Sequence, residues 1–302
     1  MSEPPSGARP RSPGSTSQPA ALQRGTPARD ALDGAITAIA AAGCETPRLD
    51  AEILLAHSLG VTRERLFIDP GLSVEGPAVR AFQDAVRRRA VLREPVAYIV
   101  GMRGFRRLDL IVDSRALVPR PETELLVDVG LTLPRGGRVL DVGTGSGAVA
   151  LALKDERADL EVTGSDVSEA ALELARSNGR ALGLDVSWLH ADLLAHVPDE
   201  FDAILSNPPY IADGDRVSLA PEIVRHEPAG ALFAGPDGLD TIRALVEQIA
   251  TRERVALLAL EIGAGQARAV QELIRGVGFP DVRAERDLAG IERVVVGERS
   301  VR

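Results

Sequence analysis

Cysteine is nearly absent: Cys44 is the one thiol in 302 residues. That excludes an internal disulfide and a cysteine-rich metal site together, and points to a reducing compartment. Lysine is as scarce, with Lys154 standing against 34 arginines, a coding bias from which no function follows. Aromatic side chains make up 3% of the chain, few for a protein that would work on flipped bases. Long apolar runs are missing too, since none approaches the roughly 18 residues a membrane span requires. The four histidines, His57, His190, His196 and His226, show no metal-ligand spacing, so no metal is assigned. Net charge is +3 over residues 1–29, zero over 30–116 and −12 over 117–302. A chain acidic over its C-terminal two-thirds is a poor partner for phosphates, and nucleic acid is disfavoured as the direct substrate.

What is present divides the chain. Residues 1–29 hold six Pro, five Ser and three Gly, too little apolar surface to offset ordering entropy, so a disordered tail is expected. It carries no secretory h-region, and a cytoplasmic protein is expected. Residues 30–92 repeat apolar side chains at helical spacing, as in Leu32, Ile36 and Ile39, with breaks at Gly43, Gly60 and Gly71; they predict a small helical domain. Residues 93–121 read as a hairpin and linker, with strands over Ala97 to Gly101 and Phe105 to Val112. From 122 to 302, strands alternate with helices. The strands are Arg138 to Val142, Leu160 to Ser165, Val186 to His190, Phe201 to Ser206 and Val255 to Ile262. The helices fall near 146–156, 168–182, 237–250 and 265–276. Such alternation predicts a parallel sheet covered on both faces. The last two strands, Val282 to Arg286 and Glu292 to Val296, are joined by a turn too short for a crossover, so they must be antiparallel. The fold class is therefore α/β, a seven-stranded, mostly parallel sheet with an antiparallel last hairpin, the arrangement of Rossmann-like methyltransferases, preceded by a small helical domain.

Asp141-Val142-Gly143-Thr144-Gly145-Ser146-Gly147 follows the first strand and opens a helix, where missing side chains let a ligand approach the backbone. Together with Ala148, the loop also meets the loose dinucleotide pattern, so the glycines alone do not choose a cofactor. Asp141 weights the choice: its carboxylate would repel a pyrophosphate but suits the cationic amino acid moiety of S-adenosylmethionine. Asp166 ends the second strand about 20 residues on, where a carboxylate accepts ribose hydroxyls. It is also placed to cap the next helix, a role that Ser168 can take instead. After the third strand, Asp192 or the adjacent backbone is placed to reach an adenine edge, with Leu193 packing on its face.

Ser206-Asn207-Pro208-Pro209-Tyr210-Ile211 follows the fourth strand, at the sheet edge where open α/β folds bind ligands. Two prolines remove two backbone donors and leave carbonyls rigidly displayed, between an amide and an aromatic ring. This cup suits a planar N–H2 group held by the Asn207 side-chain oxygen and the Pro208 carbonyl, with Tyr210 against its face. Such a nitrogen is a weak nucleophile, so the site must orient it and stabilise its growing charge.

The chain resembles the protein-(glutamine-N5) methyltransferases of the release factor family, the PrmC/HemK type. The resemblance rests on Arg48-Leu49-Asp50-Ala51-Glu52, Arg93 to Ile99, Arg120-Pro121-Glu122-Thr123-Glu124, the glycine loop, Ser206 to Ile211, Glu227-Pro228 through Gly238, and Glu261-Ile262-Gly263 with Gln266. It implies methylation of the glutamine amide in the Gly-Gly-Gln motif of class 1 peptide chain release factors, which the helical domain helps to recognise. It implies S-adenosyl-L-methionine bound by Gly143, Thr144, Gly145, Ser146, Gly147, Asp166, the Leu193 position and Asn207, with Asn207, Pro208, Pro209 and Tyr210 as the acceptor cup. Two positions depart from the family pattern. Leu193 stands where a large aromatic is frequent, and Gly104-Phe105-Arg106 stands where an acidic-aromatic-aromatic run is frequent. Phe105 reads equally as a pocket wall or a hairpin core residue. Arg120 and Glu122 either line the substrate mouth or tie the linker to its domain, and Glu261 is expected to make a helix-cap or backbone contact. The alternative activity is a DNA adenine-N6 or RNA guanine-N2 methyltransferase, which uses a similar cup but needs a basic target domain. A cofactor-binding module without catalysis would need the loop but not the cup.

Overall fold

A computed structural model describes residues 25–69 and 71–300. Most of the expected tail, residues 1–24, lies outside the described residues. The tail does not extend to residue 29, because Thr26–Pro27 (β1) pairs antiparallel with Ser73–Val74 (β2) and Ala28 is buried. The helical domain then runs through α1 (Ala28–Ala41), α2 (Pro47–Leu59), α3 (Arg63–Ile68) and α4 (Pro77–Ala90). Pro47 and Pro77 open their helices, where a missing N–H costs nothing, and Gly60 closes α2 with φ of 64°. Leu32, Ile39, Leu54, Leu55 and Phe82 meet in its core.

The first expected hairpin strand is instead a helix, α5 (Val96–Val100), ended by Gly101 at φ 78°. A short, wholly apolar run reads the same in either state. Here two cores decide it: Ile99 packs into the helical domain, whereas Tyr98 packs on the sheet and donates its hydroxyl to Ala116 O at 2.6 Å. Consecutive residues reach different cores because they lie about 100° apart on a helix. The hairpin follows as β3 (Met102–Phe105) and β4 (Leu108–Ile111), turning at Arg106 rather than between the two expected strands.

After α6 (Glu124–Gly130) the alternation holds: β5 (Arg138–Val142), α7 (Ala148–Glu156), β6 (Glu161–Asp166), α8 (Glu169–Leu182), β7 (Ser187–His190) and β8 (Ala203–Ser206). The chain continues through α9 (Pro221–His226), α10 (Asp240–Ile249), β9 (Leu257–Glu261), α11 (Ala267–Gly276), β10 (Asp281–Arg286) and β11 (Glu292–Glu298). The seven-stranded sheet has the order β10-β11-β9-β8-β5-β6-β7, and β11 is antiparallel to both neighbours while the rest pair in parallel. The expected fold class is therefore present, with the further detail that the last strand inserts between β9 and β10. Burial on both faces explains the continuous apolar strands: Leu257 and Ala259 face one core, Leu258 and Leu260 the other. The chain leaves β5 in one direction towards β7 and returns on its other side as β8, so a crevice opens at the carboxyl ends of β5 and β8.

The two domains are joined by buried and partly buried ions. Arg89 donates to Asp50 at 2.7 Å and to Glu222 of α9 at 3.0 Å, and Arg93 donates to the other Glu222 oxygen at 2.6 Å. Glu222→Ala would leave the buried Arg89 and the partly buried Arg93 each short of an acceptor and should destabilise the protein by about 3 kcal/mol. Urea unfolding measures this, and an unchanged midpoint would show that the ion cluster contributes nothing.

Candidate active site

The crevice holds a cavity of about 350 Å³. The chain brings to its wall Asp141, Gly143, Thr144, Gly145, Ser146, Asp166, Asp192, Leu193, Asn207, Pro208 and Pro209. Two expected site residues stand off it. Gly147 lies behind the loop at φ 85°, where a Cβ would come within 2.9 Å of the Trp188 ring, so this glycine serves packing. Tyr210 does not line the cavity; its half-buried ring packs beneath the crevice. Phe105 is a hairpin core residue, 2% exposed. Sequence reasoning missed Thr123, Gly230 and Ala231, which also line the wall. Their segments were visible only as parts of the resemblance.

Four backbone donors of the glycine loop are already used. Gly143 N and Thr144 N both donate to Ser165 O at 2.8 Å, Gly145 N donates to Asp166 Oδ2 at 2.9 Å and Gly147 N to Thr144 O at 2.8 Å. At the α7 N-terminus, where a phosphate would sit, Asp141 Oδ2 accepts from Ala150 N at 3.2 Å and from the Thr144 hydroxyl at 2.6 Å. A pyrophosphate here would meet the Asp141 and Asp166 carboxyls, which already take the Ala150 and Gly145 N–H groups. These acceptors fit a cofactor that brings hydroxyls and positive charge.

Asp166 does not need to cap α8, because Ser168 Oγ accepts from Ala171 N. Its two oxygens accept from Gly145 N and Ser168 N, which aims the carboxylate along the cavity wall with lone pairs to spare. Burial pushes its carboxyl up, against the pull of these N–H groups. The turn carrying Asp192 and Leu193 is tied down by Leu194 N donating to Gln248 Oε1 at 2.9 Å, and Leu193 takes φ of 51°.

At the other end, Ser206 Oγ donates to Val142 O at 2.7 Å and locks β8 to β5. Asn207 Nδ2 donates to Thr123 Oγ1 at 3.1 Å, and no hydrogen bond from the described residues reaches Asn207 Oδ1. Gln266 Nε2 donates to Tyr210 O at 3.0 Å, and Gly238 at φ 74° leaves room for that carbonyl, which a Cβ would meet at 2.3 Å. Glu261 makes neither a helix cap nor a backbone contact: its Oε1 accepts from the Tyr210 hydroxyl at 3.3 Å. Burial pushes the Glu261 carboxyl up to about 7, although the Thr123 and Tyr210 hydroxyls oppose the shift. Arg120 takes both expected roles, lining the cavity and bridging to the buried Glu227.

Relatives in other organisms match the chain through both domains. The chain is 41% identical over 273 residues to the release factor glutamine methyltransferase of Rhodospirillum rubrum, covering 89% of this chain and 84% of that protein. It is likewise 41% identical over 276 residues to the Deinococcus radiodurans release factor glutamine methyltransferase, covering 90% and 98%. The chain belongs to this family. Family models match as the PrmC N-terminal domain over residues 30–101 and the Methyltransferase small domain over residues 121–234. The hMettl16 catalytic domain, solved with an RNA hairpin, aligns with a TM-score of 0.51 at 17% identity over 75% of this chain and 83% of that one. At that identity it shows the fold alone.

Burial pushes the Asp141 carboxyl up to about 7. The unfolded chain loses this proton near pH 4, so the folded protein holds it across a window from about pH 4 to about pH 7. Asp141 therefore contributes stability below that window and loses it as pH rises through it. Asp141→Asn should decline less between about pH 5 and about pH 8 in urea midpoint than the wild type. Parallel pH profiles would place the Asp141 proton elsewhere.

Proposed function

We propose that this protein transfers a methyl group from S-adenosyl-L-methionine to the side-chain amide nitrogen of the glutamine in the Gly-Gly-Gln motif of class 1 peptide chain release factors. One observation carries the reading: relatives named for glutamine methylation of release factors share about two residues in five with this chain through both domains. The site supports it. Asp166 is placed for ribose hydroxyls, Asp192 and Leu193 for adenine, and the glycine loop for close backbone approach, while Asp141, its carboxyl pushed up to about 7, adds negative potential for a cationic tail once ionised. The cofactor provides an electrophilic methyl on a sulfonium. Asn207 Oδ1 and the Pro208 carbonyl accept the two amide hydrogens, align the nitrogen, and stabilise the positive charge that grows on it as the N–C bond forms and the methyl's C–S bond breaks, after which the spare proton passes to water. The rigid prolines keep these acceptors from reorganising as the bond forms. Residues 30–92 bind the release factor outside its glutamine loop and raise the local concentration of the acceptor. The nucleic-acid alternative is not favoured, because the relatives matching nearly the whole chain are named for a protein substrate.

Intact-mass measurement of a release factor incubated with enzyme and S-adenosylmethionine tests the reading. One added methyl, lost when the Gly-Gly-Gln glutamine is replaced, is expected; an unmodified release factor would overturn it. Asp166→Ala should weaken cofactor binding by about 1.5–3 kcal/mol in calorimetry. Asn207→Ala should lower the single-turnover rate roughly 10²–10³-fold and cofactor affinity much less. A wild-type rate would make the cup structural.

A further inference from the structure

The turn between β10 and β11 stands at the crevice end of the sheet. β11 runs antiparallel to β9 and sets Val294 opposite Glu261, the last residue of β9, so residues 287–291 lie beyond the carboxyl ends of the parallel strands. Two inter-strand steps, about 10 Å, separate β11 from β8, whose end carries Asn207 into the cup. The turn is also tied to the rear of the cup. Ile262 N donates to Arg293 O at 2.8 Å, and the Arg293 guanidinium is within electrostatic reach of Tyr210 and Glu122.

Apolar surface is presented to water here. Leu288 is fully exposed, and Ile291 is 38% exposed. A single exposed aliphatic is ordinary on a protein surface, but this one sits on a turn with little freedom. Asp287 Oδ1 accepts from Ala289 N and Ile291 N, both at 2.9 Å, and Oδ2 accepts from Arg293 Nε at 3.0 Å. Asp287 N donates to Ile291 O, Gly290 N donates to Asp287 O, and Arg286 donates to Gly290 O at 2.7 Å. The Ile291 N–H and Arg293 hold the Asp287 carboxyl below the usual range, so these bonds persist at neutral pH. The backbone on both sides of Leu288 is thus fixed, while its side chain contributes nothing to the fold.

We propose that Leu288, with Ile291 beside it, is a docking contact for the folded domain of the release factor that carries the Gly-Gly-Gln loop. The inference rests on the protein acceptor proposed above. A glutamine presented by a folded protein brings the surface around it against the rim of the crevice, and this turn is the rim on the β9 side of the cup. The surface it fits is an apolar depression, because polar groups desolvated by a leucine would go unpaired. Since the turn is ordered before the partner arrives, little entropy is lost on docking. The contact sets affinity for the whole protein and takes no part in methyl transfer.

Full exposure makes the test clean, because replacing Leu288 opens no cavity. Leu288→Asp should raise KM for whole release factor about tenfold, with the single-turnover rate at saturating release factor, S-adenosylmethionine affinity and thermal midpoint at wild-type values. Leu288→Met should keep the wild-type KM. Cys44 is buried and has no companion, so in Leu288→Cys an environment-sensitive fluorophore can be attached at position 288 alone. Its emission should shift to the blue when release factor binds, and not with S-adenosylmethionine alone. A wild-type KM for Leu288→Asp, or no shift at saturating release factor, would overturn the inference and leave the proposed activity standing. A fall in the saturated rate or in cofactor affinity would overturn it as well, by placing the turn in the reaction machinery. A wild-type enzyme that cannot methylate release factor would overturn both.

Discussion

Charge buried at the carboxyl ends of β5, β6 and β9 must be satisfied by the chain itself, because an uncompensated carboxylate in that setting costs several kcal/mol. Asp141 meets this demand with a helix N-terminus and a threonine and Asp166 with two backbone N–H groups, whereas Glu261 has one tyrosine hydroxyl and an unpartnered Oε2. These pairings determine what else can enter. By taking the Gly145 and Ala150 N–H groups, Asp166 and Asp141 place acceptors against a glycine-rich turn that resembles a phosphate cradle. Asn207 and Pro208 continue that acceptor character to the far end of the crevice, where an amide N–H2 needs it.

How much of this was visible in the sequence depended on distance along the chain. Asp166 and the Asn-Pro-Pro-Tyr element could be placed because a strand end carries them directly to the cavity edge. The contact between Asn207 and Thr123 spans 84 residues, and no local pattern predicts it. Tyr210 looked like part of the cup because an aromatic ring beside an acceptor suggests stacking. Its actual position depends on Gln266 and the side-chain-free Gly238 gripping its carbonyl, which only the folded sheet brings together. The Val96–Val100 segment failed for a different reason. Five apolar residues carry no period, and its helix is selected by two separate cores that composition cannot reveal.

The ion cluster on Glu222 gives the two domains a shared interest in the crevice. α9 lies between the Asn-Pro-Pro-Tyr element and the wall residues Pro228, Gly230 and Ala231. Arg89 and Arg93 of the helical region hold it from one side, and His226 Nε2 meets Leu92 O at 2.8 Å. The segment covering the acceptor end is thus anchored by the part of the protein proposed to meet the release factor.

The helix α5 is five residues long, far below the length at which a helix persists in water on its own. It exists only while Ile99 and Tyr98 are both seated, one in each core. Melting either core removes the support of this shared element and exposes apolar surface of the other. The helical bundle and the sheet should therefore lose structure in one transition, and amide protons of α5 should exchange only through global opening. A protein divided into two domains by its sequence should behave, through one turn and a half of helix, as a single folding unit.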